Sequence, residues 1–453
     1  MLAEELGGYV VDEPGQGVFA VHRDVYRDPA IFELEMRYIF ERTWVFLGIE
    51  DQIAQPHDYL STWIGRQPVL VMRNGEGQVG AFLNSCPHRG AILTQRERGN
   101  ARIHVCAYHA WSFDSSGRCA SIKDRKDGCY SEAFDRQSHD LVPVARFGSY
   151  RGLMFGSLSE DVPPLEDYLG ETRFFLDLIL DQSPHGIELL PGSSTYTYNG
   201  NWKLQLDNAL DAYHLTSVHP SFMKIVKQRQ SGESQNALAT IDFAAYRQRG
   251  GFTFDHGHAA VWTRNPLPHI RPLYPLLDEL RQRVGEKRAS LMLDTRNLVI
   301  FPNVQFAENA SLQLRVLRPL AVDRTEMRSY VIAPKGEPPE ARELRLRQFE
   351  DFFNSSGLAT PDDTTCYEDC QTGYRARNIA WTQGYARGMT SVQAGANEYA
   401  REFGITPATS QYGDVAIQDE TVFHSGYREW RRLMVKGAMD DAAKRAAAQG
   451  GVQ

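Results

Sequence analysis

Phe32, Met36, Ile39 and Phe40 recur at three- and four-residue intervals, which predicts a helix over residues 31 to 44. From about residue 45 to 160 the pattern changes to short alternating runs broken by turn residues. Gln67-Pro-Val-Leu-Val-Met-Arg and Gln78-Val-Gly-Ala-Phe-Leu flank Asn74-Gly75, a hairpin signature. Trp111-Ser-Phe-Asp and Arg118-Cys-Ala-Ser-Ile flank Ser115-Ser-Gly117 and predict a second hairpin. Beyond residue 160 the elements lengthen. Strands are predicted at 298–301, 311–317 and 326–334, followed by helical stretches over 340–354 and 362 to about 377. The fold class expected is α+β: a small all-β domain, then a larger domain with an antiparallel sheet flanked by helices. The expected boundaries are an N-terminal helical segment at 1–44 packing on the larger domain, the β domain at 45–160, the larger domain at 161–437 and a frayed, alanine-rich tail at 438–453.

Composition narrows the function classes. A chain of 453 residues, 42% apolar and 23% charged, has the make-up of an ordinary globular protein. Its 49 basic and 57 acidic side chains give a net charge of -8 with no basic tract, which argues against nucleic acid as a partner. No apolar run approaches the roughly 20 residues of a membrane span. The acidic, polar start Met1-Leu-Ala-Glu-Glu-Leu is unlike a signal peptide, so a cytoplasmic protein without a membrane partner is expected. Six cysteines in so long a chain do not suggest a disulfide framework. Cys366 and Cys370 stand at i, i+4 in a predicted helix without a nearby histidine, and read as buried or half-buried free thiols.

Two cysteines do carry chemistry. Cys86-Pro-His88-Arg-Gly and Cys106-Ala-Tyr-His109-Ala-Trp place one cysteine and one histidine in each of two arms, both just beyond predicted strands. Mixed arms of this kind describe a two-iron, two-sulfur Rieske cluster, in which two imidazoles replace two thiolates on one iron and raise the potential. Tetrahedral zinc also accepts Cys2His2, but zinc fingers pair cysteine with cysteine and histidine with histidine. The chain is therefore expected to handle electrons.

A second constellation lies in the larger domain: Asn208-Ala-Leu-Asp211-Ala-Tyr-His214, then His219-Pro220. A non-haem Fe(II) oxygenase site needs two imidazoles and a carboxylate on one face of the metal, with positions left open. Five residues along a regular helix turn the chain by about 500°, leaving His214 and His219 roughly 140° apart. The helix must therefore loosen or end between them, and Pro220 assists by disfavouring the α conformation at His219. Asp211, three residues before His214, would share its helical face and could serve as an outer partner. A third ligand has to come from elsewhere. Thr360-Pro361-Asp362-Asp363 reads as a helix start, with Thr360 as N-cap and Pro361 at the first helical position. It also supplies two aspartates, between which sequence physics does not choose.

Taken in order, these motifs, with Asn201-Trp-Lys between them, resemble the large (α) subunits of Rieske non-haem iron aromatic-ring-hydroxylating dioxygenases. Gly65-Arg-Gln-Pro-Val, Ser149-Tyr-Arg-Gly, Arg315-Val-Leu-Arg-Pro, Ala333-Pro-Lys-Gly-Glu, Gln348-Phe-Glu-Asp-Phe-Phe-Asn and Ala359-Thr-Pro-Asp-Asp are similar to the benzoate and anthranilate dioxygenase branch. The resemblance covers about residues 10 to 435. It implies that Cys86 and Cys106 bind one iron of a [2Fe-2S] cluster and His88 and His109 the other. His214, His219 and Asp363 would hold the mononuclear Fe(II), with Asn208 near it. Asp211 would bridge His214 to His109 of a neighbouring subunit.

The same resemblance implies NADH-derived electrons delivered by a reductase, directly or through a ferredoxin. It further implies dioxygen and an aromatic carboxylate as substrates, a cis-dihydrodiol or its breakdown product as product, and an α3 or α3β3 oligomer with a small β subunit. Pro220-Ser-Phe-Met-Lys-Ile-Val-Lys227 and Thr364-Thr-Cys-Tyr depart from the branch next to the ligands, which argues against benzoate itself. Lys224, Lys227, Arg229 and Arg264 are the candidate partners for a substrate carboxylate. His256 and His258, two apart in a predicted strand, read as structural or pocket-lining residues. The rival readings are a salicylate-type monooxygenase of the same architecture and a Rieske electron carrier without oxygenase activity.

Overall fold

The computed structural model describes residues 2–127, 129–222, 224–225, 248–309, 311–411 and 419–450. They form two compact units, Phe40–Leu165 and, separately, the residues up to Ile39 together with those from Glu166 onward. The β unit begins and ends about five residues outside the expected limits because its two ends are tied together: Trp44 Nε1 donates to the Pro163 carbonyl at 2.8 Å.

Three antiparallel sheets make up the β unit. One orders Val79–Leu83, Gln67–Arg73, Asp58–Ile64 and Arg98–Asn100; another orders Arg146–Tyr150, Leu153–Ser157 and Val45–Ile49. Cys119–Ser121, Ser112–Asp114 and Ile103–Val105 form the third. Both predicted hairpins form. In the first, however, Arg73 pairs with Val79, and the loop is longer than a two-residue Asn-Gly turn. Asn74 Oδ1 accepts from the amides of Glu76 and Gln78 at 3.0 and 2.9 Å, and Gly77 takes the left-handed conformation at φ +85°. The core of this unit packs Tyr59, Leu70, Met72, Trp111, Phe113, Ile122 and Leu141 around Cys86 and Cys106.

The larger unit is built on a ten-stranded antiparallel sheet. Its strands are β1 (Ile187–Leu189), β2 (Ser194–Tyr198), β3 (Arg249–Thr253), β4 (Ala259–Thr263) and β5 (Thr295–Ile300). They continue with β6 (Val304–Glu308), β7 (Leu312–Ala321), β8 (Arg324–Pro334), β9 (Gln393–Ala394) and β10 (Thr409–Ser410). Both β1 and β2 pair with β8, and the order then runs β8-β7-β6-β5-β4-β3-β10-β9. The long strands β7 and β8 are rich in valine, leucine, isoleucine and tyrosine and are mostly buried, as in a sheet covered on both faces. Helix α1 (Trp202–Leu210) lies over its centre, while α2 (Leu215–Val218) and α3 (Thr360–Gly373) meet beside it. The helix Pro339–Gln348 and the π-turn Phe349–Phe353 bring Phe349, Phe352 and Phe353 against Phe222, Val331, Ala333 and Ala359. Each such phenylalanine contributes about 1.5–3 kcal/mol through burial.

Several local expectations change. The N-terminal segment is not wholly helical: Val10–Glu13 and Val18–Val21 form a hairpin before the helix Pro29–Glu35. That helix starts at Pro29 because Asp28 caps it, accepting from the Ala30 amide at 2.7 Å, and it gives way to a π-turn at Met36–Phe40. The tail expected to fray from Ala438 is instead part of α4 (His424–Gly450). Its alanines favour helix, and Asp441 accepts from Tyr38 and Arg37, both at 2.7 Å. Glu35 is fully buried and serves three donors at once: Trp202 Nε1 at 2.8 Å, Lys203 Nζ at 2.6 Å and Trp430 Nε1 at 2.6 Å. This cluster joins the N-terminal helix to α1 and α4.

Candidate metal centres

In the β unit the two predicted arms fold into the same turn. The Cys86 amide donates to Ala91 O and the Gly90 amide to Cys86 O, both at 2.8 Å. In the second arm Cys106 donates to Trp111 O at 2.8 Å and Ala110 donates to Cys106 O at 2.9 Å. The fifth residue of each arm is left-handed, Gly90 at φ +76° and Ala110 at φ +62°. The turns bring the four predicted side chains together. Cys86 and Cys106 are buried and unbridged, and the His88 and His109 rings lie 4.4 Å apart at 74°. Trp111 stacks on His88 at 4.8 Å and holds its plane. The Nδ1 atoms of both histidines are buried without a hydrogen-bond partner. Buried imidazole nitrogens left unpaired are costly, and beside two buried thiols they are the donor set that a Rieske cluster uses.

In the larger unit, α1 opens on Asn201, whose side chain accepts from the Lys203 amide, and ends at Leu210. Asp211 is extended (φ -89°, ψ 122°), so it does not share a helical face with His214 as expected. It reaches His214 by a turn instead. Its Oδ1 accepts from the Tyr213 amide at 2.6 Å, and its Oδ2 stands 3.0 Å from His214 Nδ1, an ion-pair distance without hydrogen-bond geometry. The short α2 follows and stops at His219, which leaves the helical region at φ -108°, ψ 43°, as the preceding-proline argument requires. The rings of His214 and His219 then lie 5.3 Å apart, edge to face at 76°.

The third side chain comes from α3. Thr360 does not cap this helix: its hydroxyl donates to Phe353 O at 3.0 Å, and the cap position falls on Ala359. The two aspartates part company. Asp363 Oδ1 lies 3.2 Å from His219 Nε2 and 3.5 Å from His214 Nε2, whereas Asp362 Oδ2 lies 3.3 Å from His219 Nδ1, on the far side of that ring. Ligand atoms of His214, His219 and Asp363 all lie within 4.8 Å of one another. Asn208 Nδ2 donates to Asp363 Oδ1 at 3.2 Å and stands 3.4 Å from His214 Nε2. Burial alone would lower the His219 pKa, but Asp363 and then Asp362 outweigh it and raise it. A setting that favours a proton there favours a metal cation for the same reason, and two imidazoles with one carboxylate suit non-haem Fe(II).

The triad opens onto a cavity of about 180 Å³ lined in part by Leu215, Phe222, Val261, Trp262 and Phe352. Among the described residues its arginine lining is Arg249, Arg271 and Arg315, and neither Lys224 nor Arg264 lines it. Lys224 is exposed, and Lys227 and Arg229 lie outside the described residues. Arg264 is held by Asp294 and Glu402 at 3.4 and 3.5 Å. His256 and His258 lie not in a strand but in the turn between β3 and β4. His258 bonds Tyr168 O at 2.9 Å and accepts from the Phe301 amide at 3.1 Å, a structural role. Cys366 is half-buried and Cys370 is exposed, so the second is not the buried thiol expected. The sequence reading missed Asp207, which accepts from Tyr427 at 2.6 Å and Tyr385 at 2.9 Å. Burial pushes its carboxyl up to about 7 against those hydrogen bonds. Its partners lie far along the chain, so no local spacing reveals them.

The model for the ring hydroxylating alpha subunit (catalytic domain) matches residues 189–435, and that for the Rieske [2Fe-2S] domain matches residues 43–138. The chain is 41% identical to the 2-halobenzoate 1,2-dioxygenase large subunit of Burkholderia cepacia, over 94% of this chain and 92% of that one. It is 41% identical to the toluate 1,2-dioxygenase subunit alpha of Pseudomonas putida (97% and 96% covered) and 38% identical to the anthranilate 1,2-dioxygenase large subunit of Acinetobacter baylyi (96% and 94%). A naphthalene 1,2-dioxygenase structure with phenanthrene bound superposes with a TM-score of 0.80, at 26% identity over 94% of each chain. The cofactors are accordingly a [2Fe-2S] Rieske cluster and a mononuclear non-haem iron. Among the described residues no helix is long and apolar enough to cross a membrane. The chain belongs to the α subunits of the Rieske non-haem iron ring-hydroxylating dioxygenases.

Proposed function

We propose that this chain is the terminal oxygenase α subunit of a multicomponent enzyme that hydroxylates an aromatic carboxylate to a cis-dihydrodiol or its breakdown product. The observation that carries the reading is the convergence of His214, His219 and Asp363 on one wall of a largely apolar cavity. Relatives that act on 2-halobenzoate, toluate and anthranilate support the carboxylate class. When bound, the cluster supplies electrons and the iron supplies dioxygen activation.

In this reading Cys86, Cys106, His88 and His109 hold the cluster, and His214, His219 and Asp363 hold the iron. Asp362 fixes the His219 ring from its Nδ1 side. Asn208 donates to Asp363 and limits its rotation. Phe222 and Phe352 keep water from the aromatic substrate. Asp211 aligns His214, and its half-exposed carboxylate is available to a second imidazole, which we assign to His109 of a neighbouring copy. A carboxylate between two imidazoles would align both rings for electron transfer. The enzyme would be cytoplasmic, an α3 or α3β3 oligomer receiving NADH electrons through a reductase, with or without a ferredoxin.

Dioxygen uptake by the oligomer with its reductase tests this reading. Substituted benzoates, ortho-substituted ones among them, should sustain uptake coupled to product. Coupled uptake only with uncharged arenes would contradict it.

A further inference from the structure

We propose that Asp207 is a positioning residue that works as a neutral acid, closing a hydrogen-bonded ring with Tyr26, Tyr385 and Tyr427 that fixes the end of α1 from which Asp211 reaches His214. The role rests on the reading of Asp211 as the electron-transfer bridge. Four oxygens make the ring. Tyr427 Oη lies 2.6 Å from Asp207 Oδ2, Tyr26 Oη lies 2.6 Å from both Tyr427 Oη and Tyr385 Oη, and Tyr385 Oη stands 2.9 Å from the same Oδ2. A diagonal contact joins Tyr385 and Tyr427 at 3.1 Å. All four sides have the length of an O–H···O hydrogen bond, and each needs a proton of its own.

The proton count decides the charge. Three phenols bring three protons. With Asp207 ionised, Tyr385 and Tyr427 both donate to it and Tyr26 donates to one of them, which leaves the other 2.6 Å side with two oxygens and no proton between them. A fourth proton on Asp207 closes all four sides, in either direction round the ring. Among the described residues Asp207 takes hydrogen bonds only at Oδ2, so its other oxygen gains no donor by ionising.

The surroundings agree. Tyr26, Tyr385 and Tyr427 are buried, and burial is the main cause that pushes the Asp207 carboxyl up to about 7. Lys203, the cation facing it on α1, is paired with Glu35 at 2.6 Å. Asp211 also faces it, as do Cys370 and Tyr374 at the end of α3, and Arg23 lies over the Tyr374 ring. Tyr385 takes a left-handed φ of +84°, rare for a bulky residue, and His424 Nε2 bonds its carbonyl at 2.6 Å. Such strain persists only where the surroundings over-determine it, and here it delivers the hydroxyl to the ring. The ring ties together the helix Asp24–Arg27, the chain between α3 and β9, α4 and the last turn of α1. Asp211 follows Asp207 by four residues. An ionised Asp207 would break one side of the ring and set a second negative charge near Asp211; a neutral one does neither.

Infrared difference spectra of the assembled oxygenase against Asp207→Asn test the ring. Wild type should show a carboxylic-acid C=O band that shifts in D2O and titrates with a midpoint near pH 7. Tyr26→Phe keeps the burial and removes one hydroxyl, so that Tyr385 and Tyr427 can both donate to an ionised Asp207 with no short side left empty. It should lower the midpoint by about one pH unit or more. Reoxidation of the reduced cluster in a single turnover with dioxygen and an ortho-substituted benzoate tests the positioning role. Between about pH 6 and pH 9 wild type should slow by about tenfold, whereas Asp207→Asn, neutral at every pH, should stay flat. No acid band, or a midpoint unmoved in Tyr26→Phe, would overturn the ring. Coincident pH profiles for wild type and Asp207→Asn would overturn the positioning role. Failure of co-expressed Asp211→Asn and His109→Ala chains to recover activity would overturn the bridge reading, and the role with it, while the ring stands on its infrared band.

Discussion

The two adjacent aspartates of α3 can be told apart by how each loses iron. Asp363 Oδ1 faces His219 Nε2 at 3.2 Å and His214 Nε2 at 3.5 Å, on the ligand side, whereas Asp362 touches only His219 Nδ1, at 3.3 Å. With His214, His219 and Asp363 as the proposed iron ligands, Asp363→Asn would remove one of three and its charge, so mononuclear iron should fall to trace levels after anaerobic reconstitution. Asp362→Asn removes an outer partner. Changes of that kind weaken metal binding by about 10- to 100-fold, equivalent to roughly 1.4–2.7 kcal/mol. The carboxylate is 38% exposed, which favours the lower end. Iron per chain, titrated colorimetrically and corrected for the cluster by its visible absorbance, reports both variants in one assay. Asp362→Asn should refill at excess Fe(II) and Asp363→Asn should not. The reverse order would refute the assignment, as would loss of cluster absorbance in parallel with the mononuclear iron.

Glu35→Gln should destabilise the larger unit by about 3–5 kcal/mol, because it strands buried Lys203; a urea midpoint shift worth under about 1 kcal/mol would contradict this. Asp207 has its carboxyl raised to about 7 from 3.8, so the folded state holds its proton longer than the unfolded one. Stability should therefore decline between about pH 4 and pH 7 and then level off, an effect on the order of 4 kcal/mol. Asp207→Asn, which can still accept from Tyr385 and Tyr427, should flatten that decline, and an unchanged pH profile would count against it. His424, depressed to about 4 chiefly by burial, acts oppositely, contributing stability above about pH 6.5 that is lost as pH falls toward 4; His424→Gln should reduce acid sensitivity as measured by thermal denaturation. Asp211→Asn and His109→Ala chains should each keep the mononuclear iron yet turn over poorly. Co-expressed, they should recover part of the activity, because some subunit boundaries then carry both native residues; no recovery would argue against a bridge across the boundary.

The cluster arms were legible because Cys86, His88, Cys106 and His109 are close in sequence and sit beyond recognisable hairpins. The His214 and His219 pair was legible through helical geometry: five residues cannot face one metal on a regular helix, and the chain breaks at both Asp211 and His219. Choosing between Asp362 and Asp363 was not possible, because the choice depends on the rotation of α3 about its axis. That rotation is set by Arg315, Thr360 and Phe353, on three separate elements. The same holds for the cavity arginines and for Asp207 with Tyr385 and Tyr427. Each is a product of sheet register or long-range packing, and local periodicity carries no record of it. The alanine-rich end differs from expectation for a related reason, since its alanines favour helix and long-range contacts from Arg37 and Tyr38 to Asp441 anchor α4 there.

Both metals, in the proposed function, serve dioxygenation of an aromatic carboxylate. Single turnover of the reduced, assembled enzyme under 18O-labelled dioxygen, with mass analysis of the product, tests it most directly. Two labelled atoms are expected, on adjacent ring carbons of a cis-diol. One labelled atom in a phenolic product would contradict it and assign the chain to monooxygenation.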